Sequence, residues 1–563
     1  MGTTHANNAL EDMRIAQNAD RTFEQAVEHM SPFERKNLLL NYAREGDKKS
    51  TRTLLDAGRG NPNWIATLPR EAFFLLGGFA MQEARRSLYI PGVDVAGLPK
   101  SEGSADRFKT YLSEHGGQKA AEFLMNALHY ASEQGYVLDD LVEEWTQGIA
   151  GCEYPVPERM LHFSEQIVGQ YLQQELLGGK APDVPFDLFA TEGGTAGMCY
   201  MFYALKSNFL IQPGDKMALM TPIFTPYLEI PHLNDYDLDV VDIKATTMAD
   251  NGLHSWQYPD SELEKLADPS IKLLCVVNPS NPPSYEMSEE SRQKLVDIVR
   301  TKNPNLMIVT DDVYGTFVPG YRSLFDDLPY NTASIYSFSK YFGATGWRLA
   351  VTAVSQHNIF DDLIAALPKE KTDILAARYA SLGDNVPGIR FIDRMVADSR
   401  LVALNGTAGL GTPQQIQMTF FALMALMDTQ GIYKTKMIEI VHDRFNCLWK
   451  SLKLQQNPDP LRAGYYSIID LELWSERLYG DEFTQWLKRN YKSLDFVFRL
   501  ARDTGIVVMD GGGFDAPDWS IRVSLANLNI DDYKRIGDYV SSLLSAYATV
   551  WQEQREKNAQ QKS

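Results

Sequence analysis

Three apolar runs of strand length follow one another in the middle of this chain, and each ends on residues able to do chemistry. Leu273–Val277 leads into NPSNPPS and so to Asn281. Leu306–Val309 leads into TDDVYG, which holds Asp311 and Tyr314. Ile335–Phe338 leads into Ser339 and Lys340. Three further runs precede them, Asp187–Ala190, Met217–Met220 and Leu238–Ile243, with helix-length patterns between most of them. Strands alternating with helices predict an α/β domain on a mainly parallel sheet flanked by helices. Such sheets bind ligands beyond the carboxyl ends of their strands. One strand ending on a polar residue is ordinary; three in succession predict a site.

The stretch SIYSFSKYFGATGWRLA, Ser334–Ala350, indicates the kind of site. A lysine at the mouth of a buried strand is partly desolvated, which disfavours its charge and makes the amine nucleophilic. Ser337, three residues earlier, and Arg348, eight later, are donors suited to a phosphate, the arginine through its fork. An amine and an anion cradle are what pyridoxal 5′-phosphate requires. An isolated SxxK is more often a solvated lysine after an edge strand, but here it completes a series. TEGGTAG, Thr191–Gly197, puts small residues at a strand-to-helix turn, where Gly194 and Thr195 offer backbone N–H groups to an anion. Glycines also serve plain turns. Phe224 is placed to stack on a heteroaromatic ring or to fill core. Gly58, Gly60 and Pro62 make Leu54–Thr67 a tight extended segment, suited to ligand approach or to a plain loop. Arg522 lies within the strand pattern DWSIRVS, where a carboxylate ligand or a structural ion pair would satisfy it.

The 563 residues suit roughly two to four domains. There are 54 basic against 73 acidic residues, a net charge of −19, which argues against nucleic-acid binding. No run of about 18 apolar residues occurs, so no membrane span is expected. The start, MGTTHANNALEDMR, lacks an apolar segment, so no secretory leader is expected. Cys152, Cys199, Cys275 and Cys447 lack metal-ligand spacing. They read as reduced cytoplasmic thiols, Cys199 and Cys275 buried, with no metal site. Residues 1–70 are expected to supply N-terminal helices and a segment of a small domain. Residues 71–430 are expected to form the large α/β domain, with helical insertions near 109–175 and 355–405. Residues 431–563 complete a small α+β domain. Helical spacing over residues 9–45, with Ser31-Pro32 as a start signal, predicts surface helices. The chain after Lys340 is expected to run helically to a loop at 405–413, Gly505–Met509 to form one strand, and the tail from Gln552 to fray.

Together these segments resemble the fold-type I pyridoxal phosphate enzymes of the aspartate aminotransferase family over roughly residues 50–540. The resemblance implies that Lys340 carries the cofactor and that Ser337, Arg348, Gly194 and Thr195 hold its phosphate. It implies that Asp311 pairs with the pyridine nitrogen, that Tyr314 and Asn281 face the ring O3′, and that Phe224 stacks on the ring. Arg522 would grip the substrate α-carboxylate, with Gly60 and Asn281 beside it. The family's usual NPTG reads NPPS at Asn281–Ser284. ATEGGTAGM, NPSNPPS, TDDVYGTF and YSFSKYFGATGWRLA look most like the β-decarboxylating branch, the bacterial aspartate 4-decarboxylases. That implies L-aspartate and α-keto acids such as pyruvate as partners, and a homodimer or a larger homo-oligomer. A plain aminotransferase on a dicarboxylic amino acid and a non-catalytic binding protein of the same fold remain open alternatives.

Overall fold

The computed structural model of the chain describes residues 27, 30–47, 54–155, 157–383, 385–402, 408–454 and 456–562. The expectations for residues 9–26 and for the loop at 405–407 fall outside them. Helix α1, Pro32–Asp47, begins where the sequence places it. The Ser31 Oγ accepts from the Glu34 N–H at 3.3 Å while Glu34 Oε2 accepts from the Ser31 N–H at 2.9 Å, a reciprocal cap that satisfies two orphan donors.

Seven strands make the main sheet: β1 Phe186–Glu192, β2 Lys216–Thr221, β3 Asp239–Lys244, β4 Ile271–Val277, β5 Met307–Asp311, β6 Thr332–Ser337 and β7 Leu349–Ser355. Their spatial order is β1-β7-β6-β5-β4-β2-β3. All neighbours are parallel except β7, which runs antiparallel to both β1 and β6. Both faces are covered. Leu273, Cys275 and Val277 of β4 face one hydrophobic core, and Leu274 and Val276 face another. Parallel strands covered on both sides carry apolar runs rather than alternation.

Strand β7 corrects the helical expectation after Lys340. LAVTAVS is buried at every position, so it shows no period of two and is too short to show a helical one. Its partners on both sides decide its conformation. On the first face pack helices α2 (Leu68–Ser87), α3 (Lys119–Glu133), α4 (Leu138–Ala150), α5 (His162–Leu176), α6 (Gly194–Ser207) and α7 (Thr412–Met427). Trp145 of α4 meets Phe420 of α7 edge-on at 5.2 Å.

A separate core gathers Leu39, Leu40, Leu55 and Ala57 with residues from Phe445 to Trp551. It surrounds a three-stranded antiparallel sheet of β8 (Tyr466–Asp470), β9 (Met509–Asp510) and β10 (Ser520–Ser524), with β10 in the middle. The expected strand Gly505–Met509 is divided. Ile506–Val507 pairs with Leu55–Asp56, and Met509–Asp510 pairs with β10. Two different neighbours claim its two ends. Helix α8, Ile432–Ser451, runs from the first core at Met437 and Val441 into this one at Phe445 and Leu448. The last helix, α9, spans Ile530–Lys562, so the tail does not fray at Gln552. Its Gln, Glu, Lys and Arg residues are good helix formers and extend a helix already nucleated by packing. Cys275 is buried, but Cys199 is exposed, because its position on α6 faces away from the sheet. Among the described residues no helix is long and apolar enough to cross a membrane.

Candidate active site

The parallel strands bring their carboxyl ends to one edge. β1 ends at the Gly193–Gly194 turn, β2 leads to Phe224, β4 to Asn281, β5 at Asp311 and β6 to Lys340. The antiparallel β7 begins at that edge, so Arg348 immediately before it arrives there too. Its first residue, Leu349, pairs with Glu192, and Ala350 pairs with Ser337. Arg522, at the centre of β10, faces the same space from the smaller sheet. One cavity of about 320 Å³ results. It is lined by Gly60, Gly194, Thr195, Phe224, Asn281, Asp311, Tyr314, Ser337, Lys340, Arg348 and Arg522, every site residue singled out in the sequence.

At the floor, Lys340 Nζ donates to the Gly60 carbonyl at 2.9 Å, and the Tyr465 hydroxyl donates to the same oxygen at 2.8 Å. Asp311 and Asp312 are adjacent in sequence but differ in surroundings. Asp312 turns away from the cavity and accepts from the hydroxyls of Ser334, Tyr321, Ser323 and Thr310 at 2.6–2.9 Å. Asp311 lines the cavity and accepts a 3.3 Å bond from the Val313 N–H. Burial raises its pKa from an ordinary 3.8 to about 7, against the opposing pull of the Val313 N–H and Lys340. Its carboxylate is placed to receive a cationic partner from the cavity.

The anion cradle lies where β1 meets α6. Gly193, at φ +95°, leaves room for the Arg348 guanidinium; a Cβ there would stand 2.1 Å from Arg348 Nη2. Arg348 is itself left-handed, at φ +58°, and donates to the Thr345 carbonyl at 2.9 Å. Ser337 Oγ is 2.9 Å from Ser339 Oγ. The α6 N-terminus, two serine hydroxyls and one guanidinium thus converge on one end of the cavity. Phe224 stands half-buried at the cavity wall.

On the other side Arg522 Nη2 donates to the Gly58 carbonyl at 2.9 Å, and Nη1 lies 3.4 Å from Asn281 Oδ1. Its plane is held between the rings of Tyr466 and Phe514, 4.4 and 4.8 Å from their centroids. Its buried Nε has no acceptor among the described residues. Asn281 Nδ2 lies 3.4 Å from the Tyr314 hydroxyl, so it joins the arginine to that phenol. Sequence reasoning missed Asn61, Met198, Val277, Val313, Ser339, Thr345 and Tyr466, which also line the cavity. Most neighbour a residue already singled out. Tyr466 does not: it comes from β8, and no local signal marks it.

The donor set fits pyridoxal phosphate. The phosphate has an uncompensated cradle of N–H, hydroxyl and guanidinium groups. A pyridinium would meet Asp311, the carboxylate among the described residues lining the cavity, whose pKa burial raises, and the aldehyde would meet the Lys340 amine. Comparisons with known proteins agree. The family described as aminotransferase class I and II matches residues 191–540. A Pseudomonas protein described as a bifunctional aspartate aminotransferase and L-aspartate beta-decarboxylase is 47% identical over 513 residues, 91% of this chain and 95% of that one. Among solved structures, a Thermus thermophilus aspartate aminotransferase double mutant aligns with a TM-score of 0.55 over 92% of this chain and 98% of its own, at 16% identity. N-succinyldiaminopimelate aminotransferase from Mycobacterium tuberculosis aligns at 0.53 over 92% and 97%, at 15% identity. These two share the fold. By the extent of the family match and of the Pseudomonas relative, this chain belongs to the class I and II aminotransferases, the fold-type I enzymes that work with pyridoxal phosphate.

Proposed function

We propose that this protein removes the β-carboxylate of L-aspartate to give L-alanine and CO₂, with aspartate aminotransferase as a side activity. The observation that carries the reading is the likeness, along almost the whole of both chains, to the bifunctional Pseudomonas enzyme. Pyridoxal phosphate, when bound, supplies an aldehyde for the substrate amine and a protonated ring that draws electrons from the bonds around it.

The chain's own residues do the rest. Arg522 takes the α-carboxylate; flanked by two rings and held by Gly58 and Asn281, it offers its fork in a fixed plane. Asp311 would hold the proton on the ring nitrogen, as the carboxylate facing the cavity. Lys340 would hold the cofactor through its amine and would move the proton at Cα, since that amine is the base set at the cavity floor. Ser337, Arg348 and the α6 N-terminus anchor the phosphate and so fix the ring. The distal carboxylate must leave as CO₂, and a tight ion pair would stabilise it in the ground state. The cations lining the cavity, among the described residues, are Lys340, Arg348 and Arg522, each with another task. Pyruvate or another α-keto acid would restore enzyme left in the amino form by the side reaction. The four free cysteines suit a reducing cytoplasm, and a homodimer is the expected unit.

The test is purified protein with L-aspartate, scored for alanine, CO₂ and oxaloacetate. Alanine in large excess is expected. Oxaloacetate alone, in proportion to an added α-keto acid, would make the protein a plain aminotransferase.

A further inference from the structure

Resting on the reading above, we infer that the phenol of Tyr466 is a further catalytic residue, the acid that delivers to the substrate Cβ the proton replacing CO₂. The argument begins with position. Tyr466 is the first residue of β8 and pairs with Ser524 across from the strand that carries Arg522. Its ring lies against the Arg522 guanidinium, and its side chain is 2% exposed yet lines the cavity. A substrate whose α-carboxylate sits on Arg522 therefore has this phenol beside it. The hydroxyl also neighbours Lys340 across Gly60. A Cβ on Gly60 would lie 2.9 Å from Tyr466 Oη and 3.0 Å from Lys340 Nζ. Glycine there lets the two proton-bearing groups approach one point of the cavity without shifting either.

The hydrogen bonding leaves the proton available. The Tyr314 hydroxyl donates to Tyr466 Oη at 3.2 Å, so the Tyr466 proton is free to point at substrate. The charged and titratable groups facing Tyr466 are Lys340, Arg522, Tyr314, Tyr465 and Lys36. Burial opposes ionisation of this phenol, but Lys340, Arg522 and the Tyr314 hydrogen bond outweigh it and bring its pKa below the ordinary tyrosine range. The neighbouring Tyr314 and Tyr465 are pushed up instead, chiefly by burial. Of three clustered phenols, one is poised as an acid.

The step balances without an oxidant or reductant. The Cβ–carboxylate bond breaks, the carboxylate carbon leaves as CO₂, and the electron pair stays with the substrate. The Tyr466 O–H proton then forms the new Cβ–H bond. Lys340 and Arg522 stabilise the phenolate, which recovers one proton from solvent. The overall reaction consumes that proton.

The experiment compares wild-type holoenzyme with Tyr466→Phe. Alanine formation is expected to fall by about 10²-fold, the low end of general acid catalysis. Half-transamination of aspartate to oxaloacetate needs no proton at Cβ and should change by no more than a factor of roughly three. If Tyr466 served only to brace Arg522, the phenylalanine ring would still do so and both would be retained; equal retention or equal losses overturn the proposal. A second readout does not use turnover. In the full-length protein before cofactor is added, where Lys340 is a free amine, ¹³C at the tyrosine ring Cζ should show one resonance titrating below the usual tyrosine pKa of about 10, and it should vanish in the variant. Should the variant fail to fold, absence of any such resonance in the wild type overturns the proposal on its own. Wild type that gives no alanine from aspartate would instead refute the decarboxylase reading itself.

Discussion

Asp311 shows how position at a buried strand end changes the chemistry of an ordinary side chain. Asp311 has its pKa raised to about 7 by burial, so in the cofactor-free protein its contribution to stability is complete below the ordinary carboxylate range. That contribution is lost as pH rises through about 7. A bound pyridinium reverses the effect by pairing the carboxylate. The rise in Tm on adding pyridoxal phosphate should therefore be larger at pH 8 than at pH 5 (both chosen as roughly flanking that range). Asp311→Asn should remove most of that difference; thermal melts of both proteins with and without cofactor decide it. Lys340→Ala should lose the visible absorption of the lysine-bound cofactor together with turnover, as read by absorbance and by borohydride trapping at the Lys340 peptide. Asp312 is expected to act through the fold instead. Its four hydroxyl donors stabilise a buried carboxylate, so Asp312→Ala should lower Tm more than Asp311→Ala does.

At the scale of elements, the turn between β1 and α6 and the start of β7 make one device. The turn needs glycine twice over, for its φ of +95° and for the space taken by Arg348. Gly193→Ala would strain the backbone by roughly 1 kcal/mol or more and push the guanidinium out of the cradle. The expected result is pyridoxal phosphate affinity at least about tenfold weaker, since about 1.4 kcal/mol is a factor of ten. Fluorescence titration would measure it; unchanged affinity would show that Arg348 is not a phosphate ligand. The strand ends at Asn281, Asp311 and Lys340 were legible in sequence because each apolar run stops on a distinctive polar group. Strand β7 was not legible, since its apolar run ends on no such group and a short buried run alone does not separate strand from helix.

In the whole molecule, two cores meet at the cavity, and helix α8 runs through both. Leu448 is fully buried at the α8 end inside the smaller core, and Leu448→Ala should cost about 3 kcal/mol. Denaturant unfolding monitored by tryptophan fluorescence would show it. Because Arg522 and Tyr466 belong to the small sheet, that loss should weaken aspartate binding before cofactor binding. Sedimentation should find at least a dimer in the active preparation; full activity in a monomer would refute the expected assembly.

The sequence by itself determined the alternating α/β plan and the placement of Asn281, Asp311, Lys340 and Arg522 on or just after strands. These depend on local hydrophobic runs and their ends, which chain order preserves. It also carried the family resemblance through four short motifs. The resemblance singled out Asp311 rather than Asp312, and the tertiary structure supplies the physical reason: Asp311 lines the cavity while Asp312 turns to four buried hydroxyls, because adjacent residues at a strand end point to opposite sides. Tertiary structure alone decided that β7 runs antiparallel, which carries Arg348 to the cofactor edge. It decided that Tyr466, far along the chain from Gly60 and Tyr314, meets both. Those contacts form only when the two cores close on one another, and no local pattern records a partner so distant in sequence.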